Sequence, residues 1–261
     1  MGKEFNLLSA QYLDAYSKAL KLDLSKAAKK LNAKKAFTKE DFDHYIIASS
    51  VFSSRIEGNS LDLNSFMRLR SGNPSAYKKE VREIIYLSAA YTFASTHKLT
   101  PANFLEAHKF FSTPLLSKNS ERGKFRKMQV GVYDSNTGKP IYLAIEPEYL
   151  YKEVPKLFDD IKTLLREKLN TKEKFYYASM LHLWLAMLHP FTDGNGRAAR
   201  LLEKWFLAST IGDIAWSINS EKYYWDNRPD YYKNISLGFN YYALKWERCI
   251  PFLLMLPKVL K

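Results

Sequence analysis

His189-Pro190-Phe191-Thr192-Asp193-Gly194-Asn195-Gly196-Arg197-Ala198-Ala199-Arg200 sets a histidine, a carboxylate, two glycines, an asparagine and two arginines in one short stretch. A strongly apolar run, Phe175 to Leu188, precedes it, and an amphipathic one, Leu201 to Leu207, follows. Pro190 disfavours the helical region for the residue before it, so the first run predicts a helix that stops near His189. Gly194-Asn195-Gly196 then turns tightly, because glycine tolerates backbone angles other residues avoid. The next helix is expected to begin around Arg197. Its free N–H groups and its dipole would point at the loop and favour a phosphate. Arg197 and Arg200, three apart, share one face of the first turn and add forked donors. Asp193 is out of place in a bare anion hole, but fits if a divalent metal bridges it to phosphates, as magnesium is commonly held. His189 supplies a base that titrates near neutrality. The local reading is a metal–nucleotide site with a general base.

The stretch also resembles, at every defined position, the Fic-domain (filamentation induced by cAMP) family pattern His-x-Phe-x-(Asp/Glu)-Gly-Asn-Gly-Arg-x-x-Arg. The resemblance extends back through Ala178 and His182, forward through Leu201-Leu202, and covers roughly Leu99 to Tyr232. It implies a mainly α fold, a Fic-type helical bundle with one β-hairpin flap. It implies a protein adenylyltransferase that moves AMP from ATP to a serine, threonine or tyrosine hydroxyl of a target protein. His189 would be the base and Asp193 the Mg2+ ligand. Gly194, Asn195, Gly196 and Arg197 would hold the phosphates, with Asn195 and Arg197 also catalytic, and Arg200 would bind the γ-phosphate.

A second element lies upstream. Thr38-Lys39-Glu40-Asp41 reads as a helix start with a hydroxyl cap and first-turn acids. That helix should run to Gly58, a good C-terminal cap. Its end, Ser53-Ser54-Arg55-Ile56-Glu57-Gly58-Asn59, puts Glu57 at the negative end of a helix dipole, where a carboxylate needs a cation. Arg55 is the bland partner. The stretch also resembles the family's inhibitory motif, (Ser/Thr)-x-x-x-Glu-(Gly/Asn), with Ser53 first, Glu57 as the acid and Gly58 last. On that resemblance Glu57 pairs with Arg200, displaces the terminal phosphate and autoinhibits the enzyme. An inhibitory element ahead of the core belongs to the family's second regulatory class.

Between these elements the period changes. Gln129 to Tyr133, a turn at Asp134 to Gly138, and Lys139 to Leu143 form a hairpin signal. A lone hairpin is marginally stable and must lie on the helices. The resemblance names it as the flap, preceded by Gly123-x-x-Arg126, on which a target segment adds as a strand. Val130, Gly131, Val132, Tyr133 and Ile141 are its expected docking residues. Tyr231 and Tyr232 resemble the family's adenine-side tyrosine pair. The asparagine that often reads the base has no counterpart in register, Asn240 being nearest.

Elsewhere, Leu7 to Leu31 suggests two amphipathic helices, followed past Gly58 by further helix with a turn at Gly72-Asn73-Pro74. Pro101 fits the first turn of a helix that carries His108, to which no chemistry is assigned. Tyr149 to Leu169 reads as a polar-faced helix, and Leu237 to Leu260 as a last helix broken by Pro251 and Pro257. His182 and His189 share a face but lack a third metal ligand nearby. The expected organisation is 1–98 as a helical region with the inhibitory motif, 99–215 as the core with its flap, and 216–261 as a helical extension packed on it.

Composition narrows the partners. The chain has 261 residues, 46% of them hydrophobic, enough for a substantial core, and a single cysteine, Cys249, which excludes an internal disulfide. No apolar run reaches membrane-span length and no signal region opens the chain, so a cytoplasmic location and no membrane partner are expected. The net charge of +13 is spread along the chain, densest from Lys26 to Lys35, without a nucleic-acid-binding signature. ATP and a docked target protein are the expected partners, nucleic acid is not, and a homo-oligomer is compatible. Alternatives stay open: a non-catalytic nucleotide- and partner-binding module, removal of AMP from a modified protein, or transfer of another phosphate-linked group.

Overall fold

Apolar residues recur at helical spacing along most of the chain. The computed structural model, which describes residues 5–32, 38–70, 78–134 and 137–260, is helical accordingly. In order, the first helices are α1 (Leu13–Ala19), α2 (Leu24–Asn32), α3 (Lys39–Ile56), α4 (Leu63–Leu69), α5 (Lys79–Thr96) and α6 (Pro101–Ser112). The hairpin strands β1 (Gly131–Tyr133) and β2 (Pro140–Leu143) follow. Then come α7 (Pro147–Arg166), α8 (Thr171–Leu188), α9 (Asn195–Ile211), α10 (Ser220–Asp226), α11 (Arg228–Ile235), α12 (Ile250–Leu253) and α13 (Met255–Lys258). The expected turn at Gly72-Asn73-Pro74, the hairpin tip residues Ser135 and Asn136, and Lys34 and Lys35 of the basic cluster lie outside the described residues.

The centre is α8, buried without interruption from Phe175 to Leu188. A helix apolar all round has no polar face to give to water and must be surrounded. The first turns of α9 are also buried, Ala198, Ala199, Leu201 and Leu202 included, and α9 packs along α8. Helix α3 begins as its sequence dictates: Thr38 and Asp41 form a reciprocal capping box. It ends at Gly58, which takes a φ of 97°.

Helices α3 and α9 are joined by buried polar contacts. Lys204 on α9 donates to Ser49 Oγ on α3 (2.6 Å) and to Glu221 Oε2 on α10 (2.5 Å), and Tyr91 donates to Glu221 Oε1 (2.7 Å). Burial pushes the Glu221 carboxyl up, but Lys204 and Tyr91 outweigh it and hold it below the usual carboxylate value. Removing one member of such a pair strands the other charge. Glu221→Ala is therefore expected to cost about 3–5 kcal/mol in denaturant unfolding, and Lys204→Met with Glu221→Leu much less.

Two segments depart from the sequence reading. Residues 5–8 are not helical, because the Asp160 carboxylate accepts the backbone N–H groups of Asn6, Leu7 and Leu8 at 2.8–2.9 Å and fixes them as a strap. Residues 237–249 do not join the last helix either. The Asn240 side chain accepts from the N–H groups of Tyr242 and Ala243, and Phe239 O accepts from Leu143 N (2.8 Å), which ties this loop to β2 instead. The hairpin itself is antiparallel, pairing Gly131 with Leu143 and Val132 with Tyr142. It is fastened to the centre by Tyr142, whose hydroxyl donates to Met187 O on α8 (2.6 Å). No helix among the described residues is long and apolar enough to cross a membrane.

Candidate active site

The loop between α8 and α9 is held from below by aromatic stacking. Phe191 is fully buried and lies flat on His108, ring centroids 3.6 Å apart. His108 Nε2–H donates to Asp193 O (3.0 Å), while its Nδ1 accepts from Gly123 N (3.0 Å). That double contact fixes the neutral ring. Burial pushes its pKa down to about 4 from an ordinary 6.5. Between those values the unfolded chain binds the extra proton, so stability falls as pH falls, by about 3 kcal/mol across the window. Denaturant midpoints measured from pH 7 to 4 are expected to lose about one proton's slope in His108→Gln.

Asn195, expected on the phosphates, hydrogen-bonds within the loop. Its Oδ1 accepts from Phe191 N and its Nδ2 donates to Phe191 O, both at 2.8 Å. Both ends of the amide are engaged, so it closes the turn. Asp193 Oδ1 accepts from Gly194 N (2.5 Å), and the rest of this exposed side chain faces outward. Gly194 has a φ of 84°, and a Cβ there would meet the Phe111 ring at 2.7 Å, so glycine is required.

His189 ends α8 in the left-handed region, φ 49°, alone among the described non-glycine residues. Such a backbone costs about 1–3 kcal/mol and persists only where the surroundings enforce it. Arg126 does this from outside the loop. Its backbone N–H donates to Pro190 O (2.9 Å), its Nε to His189 O (2.8 Å), and its Nη groups to Met128 O and Ile145 O at the base of the hairpin. Sequence reading noted Arg126 only as part of a pattern ahead of the flap; the structure makes it the tie between flap and histidine. His189 Nδ1 lies 3.1 Å from Ala186 O, which only a protonated Nδ1 can satisfy. Nε2 is then left bare to accept a proton. Burial lowers the His189 pKa below its ordinary value, with the carboxylates of Glu57 and Asp193 pulling weakly the other way.

The two arginines of the stretch are both answered by acids from other helices. Arg200 is fully buried. It donates from Nε to Ser53 Oγ (2.8 Å), from Nη2 to Ser53 O (3.0 Å) and to Glu57 Oε1 (2.7 Å), and from Nη1 to the Tyr231 hydroxyl (3.2 Å). Burial pushes the Glu57 carboxyl up, but Arg200 and Arg197 outweigh it and keep it below the usual value. The carboxylate crosses the start of α9 so closely that a Cβ on Gly196 would lie 2.2 Å from Glu57 Oε1. It thus stands in the anion position that the opening turn of α9 creates. Arg197 Nη2 donates to Glu83 Oε2 (3.2 Å), which Asn59 Nδ2 also contacts (3.3 Å). Arg197 Nε is buried without a partner. Glu83 gave no signal in the sequence, because its contact spans 114 positions.

The tyrosine pair divides. Tyr231 is buried with its ring edge among Tyr224, His182 and Phe252, so it offers no open stacking face. Tyr232 keeps 43% of its surface exposed, with its hydroxyl donating to Ile56 O (2.8 Å). On the flap, Val132, Tyr133 and Ile141 are exposed, while Val130 and Gly131 are partly buried. His182 is bonded to Glu203 and Tyr231, and no cluster of three metal-ligating side chains occurs among the described residues.

The architecture defines a class: a helical protein whose two central helices present a glycine-flanked loop, with a histidine before it, beside a small hairpin. Residues 98–207 match the Fic/DOC family. Over that segment the chain carries a Fic domain. It is 33% identical over 160 residues to protein adenylyltransferase fic-1 of Caenorhabditis briggsae, covering 56% of this chain and 29% of that protein. It is 32% identical over 160 residues to the fic-1 of Caenorhabditis elegans, covering 56% and 28%. The chain thus spans well under a third of the length of these relatives. A Fic family protein from Desulfovibrio desulfuricans superimposes with a TM-score of 0.77 at 17% identity, over 99% of this chain and 74% of that one. Fic-1 of C. elegans (residues 134–508) gives 0.64 at 20% identity, over 91% and 67%. These likenesses show that the helical fold is shared with those Fic structures.

Proposed function

We propose that this chain is a protein adenylyltransferase restrained by Glu57. The single observation that carries the reading is the Glu57 carboxylate on Arg200 and against Gly196, an acid at the opening turn of the helix that follows a histidine with a bare Nε2. The names of its relatives support the donor, ATP, and the reaction.

In this reading the phosphates lie on Gly194 to Gly196, with the N–H groups that open α9 and the unpartnered Nε of Arg197 as donors. Positioned donors of that kind are commonly the largest catalytic contribution. Arg200 takes the γ-phosphate once Glu57 leaves, and Arg197 exchanges Glu83 for phosphate oxygen. Asn195 serves by keeping the loop closed. A target segment lies along the flap and brings its hydroxyl to His189. Nε2 takes the hydroxyl proton as the oxygen attacks the α-phosphorus. The bond from that phosphorus to the bridging oxygen breaks, pyrophosphate leaves, and AMP stays on the target oxygen.

The donor set suits magnesium: an outward-facing carboxylate on Asp193 beside phosphate oxygens is the hard oxygen environment it takes. Bound there, it would neutralise charge on the phosphates. The deciding experiment is transfer of label from α-labelled ATP to protein with magnesium, comparing the unaltered chain, Glu57→Gly, and Glu57→Gly with His189→Ala. Absence of labelling in all three, with no ATP binding by Glu57→Gly, would reject the reading.

A further inference from the structure

Arg200 has four bonds to three residues, and two of those residues, Ser53 and Glu57, sit in the last turn and cap of α3. Loosening that turn to free Glu57 disturbs both. The remaining partner, Tyr231, belongs to α11 and is buried at 2% exposure.

The hydrogen-bond polarity around Tyr231 is forced. A guanidinium only donates, so the tyrosine oxygen accepts from Arg200 Nη1 (3.2 Å). The hydroxyl proton must then go to its other neighbour, His182 Nε2 (3.0 Å), which has to be bare. The ring proton therefore sits on Nδ1 and points at Glu203 Oε2 (2.9 Å). Glu203 Oε2 also accepts from the Tyr224 hydroxyl (2.8 Å), while its Oε1 is buried without a partner among the described residues. The opposite tautomer would set bare Nδ1 against a carboxylate and leave the tyrosine proton without an acceptor. His182 and Glu203 have no measurable exposure, so water cannot repair either mismatch.

We infer that Tyr231, set by His182 and Glu203, is a positioning residue that keeps the Arg200 guanidinium aimed at the loop after Glu57 has withdrawn, and that it thereby sets the preference for a nucleoside triphosphate over a diphosphate. The inference rests on the proposed role of Arg200 at the γ-phosphate. It gives Tyr231 and His182 work that needs neither an adenine contact nor a metal.

The test is calorimetric binding of magnesium ATP and magnesium ADP in the Glu57→Gly background. Adding Tyr231→Phe is expected to lower ATP affinity about tenfold, the scale of one hydrogen bond to a charged group, and to leave ADP affinity within about twofold. Glu203→Leu should act alike, whereas Glu203→Gln, which keeps an acceptor oxygen for Nδ1–H, should preserve the ATP preference. A Tyr231→Phe variant that folds and keeps its preference overturns the inference and leaves the adenylyltransferase reading standing. A Glu57→Gly chain that binds ATP no better than ADP removes Arg200 from the γ-phosphate and overturns the inference, while labelling from α-labelled ATP decides the adenylyltransferase reading separately. A second measurement needs no substitution: nitrogen-15 NMR of the unaltered chain should show His182 neutral with its proton on Nδ1. An Nε2–H ring or an imidazolium overturns the relay whatever the variants do.

Discussion

Glu57→Gly is expected to raise ATP affinity and labelling from α-labelled ATP by about 10–100-fold over the unaltered chain. The magnitude follows from what is lost: one charge-assisted hydrogen bond to a buried guanidinium, about 1.5–3 kcal/mol, and with it the occupant of the anion position over Gly196. Arg200 keeps Ser53 and Tyr231 in the variant, so its side chain stays ordered. Its charge, however, loses the one carboxylate it pairs with among the described residues. The nucleotide-free variant should therefore unfold at lower denaturant than the parent and gain more from added ATP, since a ligand that binds only the folded state stabilises it. Unchanged ATP affinity together with unchanged labelling would contradict Glu57 as the restraint.

His189→Ala, made in that activated background, is expected to lower the labelling rate by about 10²–10⁴-fold while ATP affinity changes little. Among the described residues the ring hydrogen-bonds no arginine or loop amide; its Nδ1 is spent on Ala186 O, which leaves Nε2 for chemistry. The pH profile carries a matching sign. The base works neutral, and burial holds its pKa below the ordinary 6.5. The rate should therefore be flat across neutrality and fall only as pH drops beneath that value. An acid limb centred above pH 7, or a loss of ATP binding equal to the loss of rate, would move the base elsewhere.

Much of this was legible in the sequence because its signals are local. The capping box at Thr38, the stop at Gly58, Pro101 at a helix start, and the apolar run of α8 each act over a few residues, and each stands where its chemistry puts it. The pairing of Ser53 and Glu57 with Arg200 was readable only through a family pattern, and its hydrogen bonds are there in the geometry. What escaped was set by distant partners. Tyr231 looks like a stacking residue until Arg200 and His182 enclose its hydroxyl. Glu83 and Arg126 act across long separations, where spacing along the chain carries no information. The strap at residues 5–8 depends on one carboxylate, Asp160, more than 150 positions away.

The polar contacts between α3 and α9 have a mechanical meaning. Ser49 and Ser53 are one turn apart on α3, and Lys204 and Arg200 are one turn apart on α9, so the two helices meet through two rungs of a ladder. The lower rung is locked by Glu221 and contains no residue of the active-site loop. Glu57 hangs beyond the upper rung. On the proposed reading, a brake mounted this way has a short stroke: it would disengage by fraying the final turn while the shaft behind it stays bolted, with no larger body to swing. Activation then costs the order of only a few residues, at about 1–2 kcal/mol of backbone entropy each when that turn is re-formed, which puts the setting of the brake within reach of ordinary ligand binding.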